Sequence, residues 1–347
     1  MEVDSKLFFN VARDILPEHT LINMIVGTRG VGKTSAAKLE ALQHYEKTGR
    51  RTVWVRRYSK ELDKIIPSFM GGVAELRNPD GSKGIPNPDR YKITKKALVD
   101  VETEGKPQVI TFIPLTTALY MKSADFSQYD YMVFDEFLIP VGSVRYIKNE
   151  VFLFLELINS IVRLRDNFTV LCLANHISNF NPYYEYFNLA VEDNTDRIRR
   201  PEFTFLFLRN KAYIQEAKKT RLAKAVQGTS YLDYAYGMEV GVKSRNIVKA
   251  KTGKLTQLCN ISHHYKHYTV YYSSIDQCVY VSSYGNNTAI PTIFTCVGEG
   301  ADGELYWRGE DAIHIITFLR YYLHRNSFFA DTNKQGNVTL DLIALLT

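Results

Sequence analysis

Apolar residues follow two different rhythms along this chain. Up to about residue 200, short unbroken apolar runs alternate with longer helix-forming stretches. The runs are Leu21–Val26, Thr52–Val55, Val109–Ile113, Tyr131–Phe134 and Thr169–Ala174. Each has the length and the β-branched or aromatic content of a strand buried on both faces. Between them, Ser35–Leu42 has helix-forming composition and Asn149–Arg165 carries apolar residues at helical spacing, so helices are predicted there. Alternating strands and helices predict a mainly parallel sheet covered on both faces. Gly71–Asp89, rich in Gly, Pro and Asp, reads as a surface excursion.

Beyond Lys254 the rhythm shortens. Leu255–Ile261, Tyr268–Ser273 and Cys278–Ser282 are spaced like an antiparallel meander; Thr292–Val297 follows, and Asp311–Arg325 predicts a helix. This is a second, smaller α+β domain. The stretch Asp196–Gly241 fits neither rhythm, and its centre, Gln215–Val226, is helix-prone and basic. The predicted organisation is therefore 1–197, a connector or lid at 198–241, and 242–347.

The first apolar run leads into Gly27-Thr28-Arg29-Gly30-Val31-Gly32-Lys33-Thr34, a full match to the phosphate-loop pattern G-x-x-x-x-G-K-[ST]. Strand, glycine loop and helix is the order this chemistry requires. Glycines let successive backbone N–H groups turn inward around phosphates, and the helix N-terminus adds its positive dipole end. Lys33 is then expected on the β- and γ-phosphates and the Thr34 hydroxyl on Mg²⁺. The chain is read as binding a nucleoside triphosphate.

Two further strand tips complete the expected site. Asp135, at the end of Tyr131–Phe134, is suited to hold the Mg²⁺ shell from a strand beside the phosphate-loop strand, the Walker B role. Glu136 follows as the group that would polarise a water towards the γ-phosphate. That pair fits a hydrolysing motor-type ATPase, whereas a small GTPase or a kinase would place other residues there. Asn175, at the end of the next strand, could hydrogen-bond the γ-phosphate or the water, the sensor role of additional-strand ATPases. An Asn that simply starts a turn is the alternative. Gly27, Asp135 and Asn175 all fall at carboxyl ends of strands, where ligand-binding loops of open α/β sheets belong.

Charge adds a second partner class. The chain is only +6 overall, yet fourteen Lys/Arg and five Asp/Glu fall between Thr195 and Lys254. A basic middle of this kind fits a polyanion, or else a solvated linker. Within it, Lys218, Lys219, Arg221 and Lys224 are the candidate DNA contacts. The four cysteines contain no C-x-x-C pair, so neither a zinc site nor a disulfide framework is predicted, which fits a reducing cytoplasm. The first six residues lack the order of a signal peptide, and no apolar run approaches a membrane span.

The motifs in sequence carry a family resemblance. Gly27–Thr34, Val55-Arg56-Arg57-Tyr58 with Glu61-Leu62, Val133-Phe134-Asp135-Glu136-Phe137, Arg163 with Arg165, Leu173-Ala174-Asn175 and Lys218-Lys219-Thr220-Arg221 occur in one order. In this the chain resembles the DNA-packaging ATPases of phi29-like tailed bacteriophages, relatives of the large terminase subunits. The likeness covers most of the N-terminal domain and the connector and is loose beyond. It implies an α/β fold: a P-loop NTPase of the additional-strand (ASCE) type, followed by a smaller RNase H-like α+β domain. It also implies an ATP- and Mg²⁺-dependent motor that docks on the portal of an empty procapsid and drives double-stranded DNA inward. By motif, Lys33 and Thr34 serve phosphate and Mg²⁺, Asp135 is the Walker B acid, Glu136 the catalytic glutamate and Asn175 the sensor. Arg163 becomes a finger given in trans to the neighbouring subunit's ATP, and Lys122 a second trans-acting cation. Arg56 is left between nucleotide sensing and bracing of the fold. The further implied partners are a homo-oligomeric ring, a pentamer by the family's pattern, and a phage structural RNA between ring and portal. The implied location is the host cytoplasm at the portal vertex, outside the mature virion and without a membrane.

Large terminases add a nuclease, and a two-metal nuclease needs convergent carboxylates. Leu255–Ile261 contains no acid, so the C-terminal domain is expected to lack cleavage chemistry. His263, His264 and His267 have no paired Cys or carboxylate nearby in sequence and are read as structural or DNA-facing. Two readings compete with the motor. A complete terminase would want an acid on that strand, and a P-loop switch or adaptor would need neither Glu136 nor Arg163.

Overall fold

The computed structural model of the chain describes residues 9–78, 80–139, 146–175, 181–189, 191, 195–229, 248–263, 266–285, 290–297, 301–307, 309–325, 327–332 and 335–346. Two compact units share the chain: residues 1–177 with 193–239, and residues 178–192 with 240–347.

The first unit is built on a nine-stranded sheet. In chain order its strands are β1 (Ile22–Gly27), β2 (Arg51–Arg56), β3 (Tyr91–Ile93), β4 (Ala97–Asp100), β5 (Gln108–Pro114), β6 (Tyr129–Asp135), β7 (Thr169–Asn175), β8 (Arg197–Arg200) and β9 (Phe203–Leu208). They lie side by side as β3-β4-β5-β2-β6-β7-β1-β9-β8. From β5 to β9 all neighbours run parallel, and antiparallel strands close both edges. Every residue of β1 and β6 is buried, as expected for central strands covered on both faces. Trp54, Phe69, Phe112 and Val133 lie in the core on one of these faces, with Phe69 edge-on to both Trp54 and Phe112.

The predicted runs all become strands, but one neighbour relation differs from the sequence reading. The Asp135 strand β6 is not beside the phosphate-loop strand, because β7 is inserted between them. That insertion is what makes the sheet an additional-strand one. A second correction concerns the connector expected at 198–241. Phe203-Thr-Phe-Leu-Phe-Leu is a buried parallel strand on the far side of β1, so the sheet continues to Leu208. Three of the stretch's basic residues sit on the exposed edge strand β8, where Arg197 and Arg199 pair with Glu18. The excursion at 71–89 is also less peripheral than expected. Phe69, Val73 and Ile85 pack into the core, and Arg77 bridges to Lys83.

The helices of this unit follow local rules. α1 is Val11–Asp14, and α2 (Lys33–Thr48) starts after Gly32 and ends on Gly49, both glycines left-handed. α3 is Ser59–Ile65 and α4 is Glu150–Val162, with Val151, Phe154, Leu157 and Ile158 among its buried residues. The helix-prone run at 215–226 is split in two. Thr220 accepts a hydrogen bond from the Ala223 N–H and so starts a new helix.

In the second unit, α5 (Pro182–Tyr186) is tied to the sheet by Tyr268, whose hydroxyl donates to Glu185 at 2.8 Å. That assigns residues 178–192 to this unit rather than to the N-terminal domain, a third correction. The strands are β10 (Leu255–His263), β11 (Lys266–Ser273), β12 (Cys278–Ser283), β13 (Ile293–Val297), β14 (Leu305–Tyr306) and β15 (Phe328–Ala330). Their order is β14-β13-β10-β11-β12-β15. The first three form the antiparallel meander, while β13 runs parallel to β10 and β14 parallel to β13. This is the strand arrangement of RNase H-like folds, with β15 added beside β12. Two C-terminal helices, numbered α8 (Ile313–His324) and α9 (Gly336–Leu346) once α6 and α7 below are counted, complete the unit. Among the described residues no helix is long and apolar enough to cross a membrane.

Candidate functional site

The register of the parallel strands brings the motifs to one edge. Gly27 pairs with Asn175, and Asp135 with Leu173 two residues back. The phosphate loop, Asp135 and Asn175 therefore converge although they are far apart in the chain.

Lys33 is buried and donates to the carbonyls of Gly27 and Thr28 at 3.2 and 2.8 Å and to Asn175 Oδ1 at 3.2 Å. Burial pushes its ammonium down to about 8, with Asp135 opposing only in part. The Thr34 hydroxyl donates to Asp135 Oδ1 at 3.0 Å. Asp135 is wholly buried and its carboxyl is pushed up by desolvation against the pull of Arg56. Gly30 and Gly32 hold φ of 88° and 83°, conformations that a side chain would resist.

This set fits a Mg²⁺-bound triphosphate. The Thr28 hydroxyl oxygen is buried and has no hydrogen-bond partner among the described residues, which is costly unless a ligand supplies one. Lys33 aims its ammonium into the loop, where it meets the carbonyls of Gly27 and Thr28. Thr34 and Asp135 present two hard oxygens side by side, the small protein share that Mg²⁺ takes when phosphates and water complete its shell. Among the described residues no group of three or more His, Cys, Asp or Glu is placed to hold a metal by itself.

Arg56, the last residue of β2, and Arg57, the first beyond it, reach different partners. Arg56 reaches both acids, at 2.6 Å to Asp135 and 2.6 Å to Glu136. Arg57 is fully buried and forked onto Glu150 at 2.7 and 2.8 Å, and it also donates to the Phe137 carbonyl at 2.7 Å. It thereby ties the segment after Glu136 to the first turn of α4. Removing one partner of such a buried pair costs about 3–5 kcal/mol. Glu136 itself has φ 59° and a side chain 59% exposed. A non-glycine residue in the left-handed region directly after a central strand is strained backbone of the kind found at working sites. The pairing Arg56–Glu136 and the Arg57–Glu150 clamp were not readable in the sequence.

Arg163 and Lys122 are not part of this cluster. Arg163 ends α4 with φ 52° and ψ −120°, and its guanidinium is exposed and donates weakly to the Ala124 carbonyl at 3.4 Å. Lys122 pairs with Glu156 on α4 at 3.0 Å. Arg165, two residues on, donates to the carbonyl of Tyr129, the first residue of β6. Arg163 thus stands at the amino end of the strand whose carboxyl end is Asp135. At about 3.3 Å per residue, that is roughly 20 Å from its own phosphate loop.

The connector residues lie on two short helices, α6 (Lys211–Lys218) and α7 (Arg221–Ala225). Lys218, Lys219, Arg221 and Lys224 are all exposed, and only Lys219 has an acidic partner among the described residues, Glu216 at 2.6 Å. In the second unit the expectation that the histidines lack carboxylate partners is corrected, since the fold brings Asp341 to His263 and Glu304 to His267; His264 lies outside the described residues. β10 carries no acid: Asn260, one of its buried polar residues with Ser262 and His263, is hydrogen-bonded to Gln257, Thr269 and the carbonyls of Ile290 and Thr292.

Comparison with known proteins adds to this geometry. A family model described as podovirus DNA encapsidation protein (Gp16) matches residues 3–299. The DNA packaging proteins of Bacillus phages PZA and phi29 are each 29% identical over 232 residues, 66% of this chain. That alignment spans 64% of the length of these curated relatives. Among solved structures, the bacteriophage phi29 viral genome packaging motor assembly superposes with a TM-score of 0.73. It is 21% identical and covers 98% of this chain and 100% of that one. The N-terminal domain of the DNA packaging ATPase from bacteriophage phi29 gives a TM-score of 0.50 at 27% identity, over 60% of this chain and 99% of that one.

Proposed function

The chain belongs to the podovirus DNA encapsidation protein (Gp16) family, and on that premise we propose that it is an ATPase whose hydrolysis drives double-stranded DNA through the portal into a phage procapsid. The observation that carries this reading is the convergence of Lys33, Thr34, Asp135, Glu136 and Asn175 at one sheet edge. Arg163 stands at the opposite edge.

In the proposed reaction, Lys33 leaves the loop carbonyls for the β- and γ-phosphates, and Asn175, released from it, turns to the γ-phosphate or the attacking water. Thr34 and Asp135 would hold Mg²⁺, whose positive charge would serve the phosphoryl oxygens. Glu136 exchanges its pair with Arg56 for a water molecule and accepts that water's proton. The gap of about 20 Å between Arg163 and its own loop favours service to a neighbour's site, with Lys122 beside it on the same face. A ring with heterologous contacts, each subunit's Arg163 edge against the next subunit's phosphate loop, supplies that neighbour.

The remaining assignments extend the same reading. Lys218, Lys219, Arg221 and Lys224 contact DNA phosphates. The ATPase domain ends at Leu208, with the basic helices and residues up to about 241 as connector. The RNase H-like domain binds partners without cutting, since its first strand places a saturated Asn260 where a nuclease needs an acid. The portal, and a structural RNA between ring and portal, are the further partners, and the working location is the portal vertex in the host cytoplasm. ATPase activity measured alone, with double-stranded DNA and with empty procapsids tests the core claim. Turnover that neither addition stimulates would sink the motor reading, and metal-dependent nicking of plasmid would restore the full terminase.

A further inference from the structure

Two glycines of the phosphate loop are pressed by the last residue of β9 and the segment that follows it. A Cβ at Gly27 would lie 2.7 Å from both the Cβ and the carbonyl oxygen of Leu208. A Cβ built on Gly30 would meet Tyr213 first, falling 1.9 Å from its hydroxyl oxygen and 2.8 Å from its Cζ. Such spacing leaves room for glycine alone. Tyr213 sits in the first turn of α6, where its N–H is capped by the Asn210 side chain at 2.9 Å. Ile214, Ala217 and Ala223 are buried and seat α6 and α7 on the unit, while Lys218, Lys219, Arg221 and Lys224 face outward.

We propose that Tyr213 is a positioning residue through which the state of the phosphate loop sets the placement of α6 and α7, and with it the affinity of their basic surface for DNA phosphates. The inference rests on the reading of the loop as an ATP site and of the basic helices as a DNA contact. Lys33 is bonded to the carbonyls of Gly27 and Thr28, within three residues of Gly30, so a phosphate that draws its ammonium would act on the stretch of loop backbone against which the Tyr213 ring lies. The Tyr213 ring is the group lying against that glycine, and it is rigidly joined to the helix that ends in Lys218. Close packing passes such a shift on rather than absorbing it.

The test uses the full chain and four dissociation constants. These are a short DNA duplex with and without a slowly hydrolysed ATP analogue, and the analogue with and without duplex. Linkage makes the two ratios equal, and a coupling of ordinary size is about fivefold or more. Wild type should show that coupling. Tyr213→Ala should bring both ratios near one while leaving nucleotide-free DNA affinity within about twofold, and Tyr213→Phe, which keeps the ring on Gly30, should retain most of the coupling. Tyr213→Leu, with more apolar bulk, carries the same comparison should the alanine variant melt early. Wild-type coupling that survives loss of the ring overturns the proposal. So does a wild-type chain that binds both ligands with ratios of one. Failure of the wild type to bind the analogue or the duplex at all would instead refute the functional reading beneath it.

Discussion

Two buried polar positions, Thr28 at the carboxyl end of the first sheet and Asn260 on the first strand of the second, are treated in opposite ways. At the carboxyl edge of the first, the Thr28 hydroxyl has no partner, Lys33 leans on loop carbonyls, and Asp135 is buried with its carboxyl pushed up. In the second, Asn260 is saturated, using both its oxygen and its nitrogen inside the unit. Unmet hydrogen-bonding capacity marks a place that expects a ligand, and met capacity marks a place that is finished. By that standard the phosphate-loop edge is a place that expects a ligand and the Asn260 position is finished, whereas Trp307 Nε1 and Asp331 Oδ1 elsewhere in the second unit are buried without a partner among the described residues.

The sharpest way to break this comparison is Lys33→Ala. It removes the charge on the phosphates, and ATP turnover should vanish while the circular dichroism spectrum is kept; near-normal turnover would refute the site. Arg163→Ala should cost about 10³-fold in rate, the scale of a finger supplied in trans. Mixed with Glu136→Gln subunits, which keep their arginine, Arg163→Ala subunits should recover activity. Mixed rings that form and stay as inactive as either parent would show that Arg163 works in its own subunit or only structurally.

Glu136→Gln comes next, with turnover down about 100-fold and ATP binding kept, as for a lost general base. Loss of binding, read by calorimetry, would make Glu136 a structural or metal residue instead. A pH series probes Lys33 more gently. In the free protein its ammonium is pushed down to about 8, and bound phosphates would raise it again. ATP binding should therefore take up a proton above pH 8, and affinity should fall by up to about tenfold per pH unit from there. Equal affinity at pH 7.5 and 9.5 would contradict the burial of this charge. For folding the sign is opposite, since the unfolded lysine keeps more protons, so this group makes the nucleotide-free protein more stable as pH rises from about 8 towards 10.5.

The smallest effect belongs to the second unit. Asn260→Ala strands the carbonyls of Ile290 and Thr292 and should cost about 1–3 kcal/mol of stability, read by thermal unfolding. ATP turnover per folded molecule should not change. A large loss of turnover would mean that the second unit takes part in the chemistry.

Much of the first sheet was legible because its strands are short, apolar and bounded, and because the phosphate loop fixes where one of them ends. β9 was not, since the basic residues around it, the arginines of β8 among them, made the window look like a linker. The break at Thr220 was hidden by the helix-forming residues on either side, which outvote a single cap. In the site, Lys33, Thr34, Asp135 and Asn175 could be named from local pattern. Arg56 could be noticed but not assigned, because its task depends on β2 lying beside β6. Tyr213 carried no signal at all, since only the pairing of β1 with β9 brings its ring to Gly30.

α4 has one more property, a mechanical one. Its first residue is clamped by Arg57 to the backbone that follows Glu136, and the residue after its last turn is Arg163. At 1.5 Å per residue the helix is a strut about 20 Å long. Tilting it by about ten degrees at the clamped end carries the far end through about 3.5 Å, roughly the reach of a hydrogen bond. If Arg163 serves a neighbouring subunit as proposed, such a lever would report a movement of Glu136 to that site with no signal crossing the sheet.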